Sequence, residues 1–127
     1  MPRDEKRLHA LRGATTVERD DAASVLGATR ELLVFLTRRN GLTTADVVSA
    51  LFSVTADLRS AFPARAAREL GWLDVPLLCM TEIPVEGSLA RCIRILLHVE
   101  SARPRGDLRH VYLHGARVLR PDLASDY

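Results

Sequence analysis

Between residues 21 and 39 the apolar positions recur at helical spacing. Ala22, Val25, Leu26, Thr29, Leu33 and Leu36 fall on one stripe. Asp20 or Asp21 can cap the start, Arg38 and Arg39 suit the last turn, and Asn40-Gly41 supplies a stop. Val34 and Phe35 fall off the stripe, so part of a second face is expected to meet another element or subunit. Around this helix the pattern changes to that of strands. A short strand is expected at Leu8–Leu11, with Arg12-Gly13-Ala14-Thr15-Thr16 marking its end. Thr43-Thr44-Ala45-Asp46 reads as a capping signal for one helical turn. The nearly continuous apolar run Val47–Val54 then predicts a strand covered on both faces. A second buried strand is expected at Val75–Met80, with Pro76 tolerable near its start. A third is expected at Arg91–Val99, and a last at Leu108–Leu113, which puts His110 and Tyr112 on a common face. Strand, long helix and then several strands predict an α+β fold, a mixed sheet packed with the helix on one face. The charged residues 1–7 are expected to be a flexible tail, the segment 118–123 to be anchored, and residues 124–127 to fray.

Two stretches stand out from that scaffold. Phe62-Pro63-Ala64-Arg65-Ala66-Ala67-Arg68 favours a turn of helix with Arg65 and Arg68 on one face. In the Arg91–Val99 strand, Ile93, Ile95, Leu97 and Val99 make a wholly apolar face, while Cys92, Arg94, Leu96 and His98 point the other way. A charge in the middle of such a run needs a reason. Arginines and the carboxylate of Glu82, gathered by a fold, would form a receptor for a small anion bearing a hydroxyl. They would also fit electrostatic catalysis, in which fixed donors meet charge that develops in the transition state. An ordinary salt-bridged sheet surface, with Glu82 paired to one arginine, accounts for the same residues, and composition alone leans slightly to it. Likewise Arg12, taken alone, reads as a solvated arginine beside a turn.

Composition narrows the possibilities further. At 127 residues, 47% of them hydrophobic, the chain is expected to be one domain with a real core. A net charge of +2 and 5% aromatic residues supply neither the basic surface nor the stacking platform of a nucleic-acid binder. Cys79 and Cys92 form no CxxC pair, so a disulfide framework or zinc site is not expected, and the thiols read as those of a cytoplasmic protein. No apolar stretch approaches membrane-spanning length. There is no G-x-S-x-G, no Gly-rich phosphate loop and no H-E-x-x-H. His9, His98, His110 and His114 show no metal-ligand spacing, and Cys79 has no adjacent base that would make it a nucleophile.

Several separated blocks together resemble one family. They are Arg12-Gly13-Ala14-Thr15-Thr16-Val17-Glu18, Ala61-Phe62-Pro63-Ala64-Arg65-Ala66-Ala67-Arg68, Cys79-Met80-Thr81-Glu82, Arg91-Cys92-Ile93-Arg94, and His110-Val111-Tyr112-Leu113 with Val118-Leu119-Arg120-Pro121-Asp122-Leu123. In this order they resemble the monofunctional chorismate mutase of the AroH class, from Leu11 to Leu123. The resemblance implies the Claisen rearrangement of chorismate to prephenate, on the route to phenylalanine and tyrosine, with no cofactor or metal. It implies a homotrimer that forms a pseudo-α/β-barrel, with a site at each subunit interface. It assigns Arg94 to the ether oxygen and Glu82 to the ring hydroxyl, with Glu82 also steadying Arg12 and Arg94. Arg12 and Tyr112 would bind the enolpyruvyl carboxylate, and Cys79 would line the pocket near the ring hydroxyl. Phe62, Arg65 and Arg68 would come from the neighbouring subunit, and Leu119 with the tail around Arg120 would close the pocket. Arg65 stands where the better-known members have lysine, and Leu78 where a threonine is familiar. The alternative on the same scaffold is a non-catalytic trimer that binds a dicarboxylate or regulates a partner enzyme.

Overall fold

The computed structural model describes residues 5–122. The expectations for residues 1–4 and for the chain from Leu123 onward lie outside the described residues. The elements are β1 (Arg7–Thr16), α1 (Ala22–Arg39), β2 (Val47–Val54), α2 (Ala64–Glu69), β3 (Leu77–Thr81), β4 (Cys92–Ser101) and β5 (Val111–Tyr112). Short 3₁₀ turns at Thr44–Asp46, Arg105–Asp107 and His114–Leu119 join them. The five strands form one mixed sheet in the order β3-β2-β4-β1-β5. β4 at its centre runs antiparallel to both β1 and β2, while β3 and β5 run parallel to their neighbours. The α+β expectation holds.

Helix α1 begins and ends as its caps require. The Asp21 carboxylate accepts the Ser24 amide at 2.7 Å, and Asn40 follows Arg38 and Arg39 as the C-cap. Its buried stripe is Val25, Leu26, Thr29, Leu32, Leu33 and Leu36. Ala22 is exposed, against expectation, and Leu32 is buried instead. The reason lies on β1. A Cβ added to Gly13 would meet the Leu36 Cδ1 at 2.8 Å and the Leu32 Cδ1 at 3.1 Å. The helix therefore settles onto the strand at its one residue without a side chain. Because both leucines are fully buried, Gly13→Ala should overpack the core and lower stability by about 1–3 kcal/mol in chemical denaturation. An unchanged midpoint would show that the helix can lift away at no cost.

Gly13 thus belongs to the strand rather than ending it. The ladder with β4 runs from Arg7↔Ser101 to Thr16↔Cys92, so Arg12 is a strand residue and not a turn residue. The expected tail also shortens: Arg7 opens β1, and the Lys6 Nζ donates to the Asp46 Oδ1 at 2.8 Å. That contact and the Thr43 amide hold the Asp46 carboxyl below its ordinary value.

The core lies between the sheet and the two helices, where Leu11, Leu33, Phe52, Ile95, Leu97 and Trp72 pack together. The apolar face expected for β4 is buried throughout, at Ile93, Ile95, Leu97 and Val99. The other face is different. Leu51 and Leu96 are only half-buried, and Leu78 and Met80 are exposed. Neither β2 nor β3 is covered on both faces in the single chain, contrary to the pattern of their apolar runs. β2 also carries a register shift between Val47 and Ser49, which leaves Val48 exposed. β3 starts at Leu77 rather than Val75, just after Pro76, whose carbonyl accepts the Ala50 amide at 3.0 Å. The final strand contracts to Val111–Tyr112.

Candidate active site

On the open face one row of residues crosses all five strands. Tyr112 on β5 lies opposite Ala14 on β1, Ala14 opposite Arg94 on β4, Arg94 opposite Ser53 on β2, and Ser53 opposite Met80 on β3. Arg94 thus sits at the centre of the sheet with small residues on either side, which leaves room for a guanidinium to lie along the surface. The next row holds Arg12, Leu96, Leu51 and Leu78, so Arg12 shares the face of Arg94 one row away.

The carboxylate arrives from the strand end. The Glu82 amide continues the β2–β3 pairing by donating to the Val54 carbonyl at 2.8 Å, which returns the side chain to the Arg94 face. The Ser53 hydroxyl donates to the Glu82 Oε2 at 2.6 Å, and the Arg94 Nε lies 3.5 Å from the same oxygen. The Arg94 and Glu82 side chains are 29% and 31% exposed, so their pairing is partly shielded from water but still open to a ligand. The Arg94 Nε is itself shut from solvent and lacks hydrogen-bond geometry to any partner among the described residues. A donor in that state is held by its surroundings, not satisfied by them.

Ser53 was not singled out in the sequence. Its signal was one of two hydroxyls within the apolar run of β2, with Ser49, and its role depends on the register that sets it against Arg94. Ser53→Ala removes a bond to a charged acceptor, of a kind that contributes about 1.5–3 kcal/mol. Turnover is expected to fall about tenfold as Glu82 loosens its hold on Arg94. Wild-type kcat/KM in this variant would show that Glu82 is positioned by Arg94 alone.

At the β5 end of this row Ala14 and Tyr112 join Cys92 and Ala116 in a small apolar cluster, against which Leu89 and Leu119 pack. Burial pushes the Cys92 thiol up, and the neighbouring Arg94 guanidinium only partly opposes that effect, so Cys92 is a neutral packing group. Leu119 reaches the cluster on the His114–Leu119 turn. The turn is pinned where the Gly115 amide donates to the Thr16 hydroxyl at 2.9 Å, so close that a Cβ on Gly115 would meet that oxygen at 2.8 Å. Arg120, just beyond, makes a two-pronged contact with Asp122 at 3.2 and 3.0 Å.

Phe62, Arg65 and Cys79 belong to a different place. With Arg59, Met80 and Thr81 they line a cavity of about 420 Å³ at the β3 edge of the sheet. Cys79 pairs with Phe52, on the helix-covered side, whereas Met80 pairs with Ser53 on the Arg94 side. Cys79 is thus turned away from Arg94, while the cavity wraps the β3 edge and takes Met80 from the other side as well. Phe62 is 72% exposed, near the exposed Met80 on the same cavity wall. Arg65 pairs with Glu69 at 3.5 Å, and Arg68 lies exposed in the last turn of α2, outside the cavity lining. Arg59 is a further cation here that the sequence did not single out. Its backbone amide and that of Ser60 both donate to the Asp20 carboxylate, at 3.0 to 3.1 Å. Among the described residues no group of three or more His, Cys, Asp or Glu side chains could hold a metal, and no helix is long and apolar enough to cross a membrane.

A family profile described as chorismate mutase type I matches residues 8–123. The chain belongs to that family. Two relatives named Chorismate mutase AroH support the assignment. The protein of Bacillus subtilis is 47% identical over 118 residues, covering 92% of this chain and 93% of the relative. That of Thermus thermophilus is 48% identical over 119 residues, covering 93% and 98%. Among solved structures, a chorismate mutase from Clostridium thermocellum superposes with a TM-score of 0.86 at 47% identity, over 87% of this chain and 98% of that one.

Proposed function

We propose that the Arg94 face and the Phe62 cavity are complementary halves of one site, joined when the chain assembles as a homotrimer with the open sheet faces turned inward as a pseudo-α/β-barrel. The site converts chorismate to prephenate, the activity for which the relatives are named. In this rearrangement a carbon–oxygen bond breaks and a carbon–carbon bond forms within one molecule, so the protein supplies orientation and charge rather than a reactive group. Arg94 donates to the ether oxygen as negative charge grows there. Glu82 accepts from the ring hydroxyl and steadies Arg12 and Arg94. Arg12 and Tyr112 take the side-chain carboxylate. From the neighbouring subunit, Phe62 covers the ring, Cys79 lies near the ring hydroxyl as a hydrogen-bonding thiol, and Arg65 and Arg68 turn positive field toward the ring carboxylate. Leu119 and the segment around Arg120 close the mouth.

The observation that carries this reading is the Arg94 guanidinium, held mid-sheet between Ala14 and Ser53 by a carboxylate that Ser53 itself holds. The exposed Phe62 and the half-open sheet face support assembly, since both leave apolar surface for a second copy to cover. The two free cysteines are in keeping with a cytoplasmic enzyme. No observation favours the non-catalytic alternative. The direct test is to mix purified protein with chorismate, follow its ultraviolet absorbance without added metal, and assay prephenate after acid conversion. Saturable turnover by a species that sediments as a trimer is the expected result. Chorismate bound but unchanged by a folded trimer would transfer the scaffold to the binding reading.

A further inference from the structure

The segment that brings Tyr112 to the site is tied down at successive residues. Asn40, the buried C-cap of α1, donates from Nδ2 to the carbonyls of Leu36 at 2.8 Å and Arg109 at 2.9 Å, and its Oδ1 accepts the Arg109 amide at 2.6 Å. One residue on, the His110 Nδ1 accepts the backbone N–H of Arg12 at 2.9 Å. Beyond it Val111 and Tyr112 pair with Gly13 and Ala14, and the Leu113 amide donates to the Ala14 carbonyl at 2.9 Å. The parallel ladder stops at Gly13↔Val111, so at the Arg12 amide a side chain takes the place of a strand partner.

We infer that His110 is a positioning residue for this reaction: its imidazole fixes β1 at Arg12 against the segment carrying Tyr112, so that both side chains meet one substrate carboxylate. This rests on the reading of Arg12 and Tyr112 as the carboxylate binders. The geometry imposes a condition on the ring. Only a bare Nδ1 accepts a hydrogen bond, which requires the neutral tautomer with its proton on Nε2; the imidazolium donates from both nitrogens. Burial, together with the charges of Arg12 and Arg120, holds the His110 pKa below the usual histidine value. Among the described residues the other titratable groups lining the cavity beside it are His9 on β1, His98 on β4 and Arg105 on the 3₁₀ turn. With the pKa lowered, the accepting form persists below the ordinary histidine range, and the contact is lost only in more acid solution. Acid should therefore raise KM as the contact is lost, while Arg94, always charged, keeps kcat comparatively level.

The test is steady-state kinetics of the full chain between about pH 5 and 8, for wild type, His110→Ala, His110→Asn and Arg12→Ala. The Asn Oδ1 can accept where Nδ1 did and does not titrate. At neutral pH, His110→Ala should raise KM about tenfold with kcat within about a factor of two. His110→Asn should recover most of that loss and remove the acid rise in KM. Nitrogen-15 spectra of the wild-type imidazole should show the Nε2-protonated tautomer, a readout that needs no variant to fold. A wild-type KM in His110→Ala beside a raised KM in Arg12→Ala would overturn the inference, as would an Nδ1-protonated ring at neutral pH. An unchanged KM in Arg12→Ala would instead remove the carboxylate reading on which it rests.

Discussion

Arg94→Ala is expected to lower kcat by about two to three orders of magnitude, because a preorganised donor aimed at transition-state charge contributes about 3–4 kcal/mol. The fold should survive the change. Glu82 keeps its 2.6 Å bond from Ser53 and remains 31% exposed, so removing the guanidinium does not strand a buried charge. Arg94→Lys should fall between the two, since an ammonium keeps the charge but not the planar fork that can face Glu82 and the ether oxygen together. The check is kcat from chorismate loss, with circular dichroism and sedimentation confirming folded, assembled protein. Turnover near wild type in an assembled Arg94→Ala variant would separate Arg94 from the breaking bond.

The second large effect is a recovery of activity. Arg94→Ala damages one half of the proposed site, and the double substitution Phe62→Asp, Arg65→Glu damages the other at two exposed positions whose change leaves the core untouched. Each variant alone should be nearly inactive. Unfolded together and refolded at equal amounts, they form mixed trimers, and at a head-to-tail interface an undamaged pair of halves arises at about a quarter of the sites, one half times one half. Activity should therefore return to about a quarter of wild type. Mixed trimers that regain nothing would mean that both halves come from one chain. The structure supports the prediction through Cys79, which lines the cavity with Phe62 and Arg65 and whose pairing with Phe52 turns it away from Arg94.

Much of the fold could be read along the chain, and the exceptions have particular causes. The helix was legible because Asp21 and Asn40 cap it and its apolar residues repeat at one period. The buried face of β4 was legible because alternation marks a half-buried strand. Gly13 misled, since a glycine before threonines usually punctuates a strand, whereas here it admits Leu32 and Leu36 of the helix. The apolar runs of β2 and β3 misled for another reason. A face that awaits a second subunit has the same composition as a face already covered by a helix, so the run cannot show which cover it has.

The site divides along the same line. Arg12, Glu82, Arg94 and Tyr112 are assigned to the proposed site through the family resemblance, and the charge within the β4 run singles out Arg94 even without it. Ser53, Asn40 and His110 were not legible in these roles, because each acts through a partner far away along the chain. By itself the sequence determined which segments become helix and strand, which strand face is core, and which family the chain resembles. Those properties reside in local spacing, and neighbours along the chain suffice to express them. Tertiary structure alone decided that Arg94 lies between Ala14 and Ser53, that Glu82 is held from two sides, and that Cys79 is turned away from Arg94. Register decides such matters: a one-residue slip of β3 against β2 would turn every side chain of the strand to the opposite face.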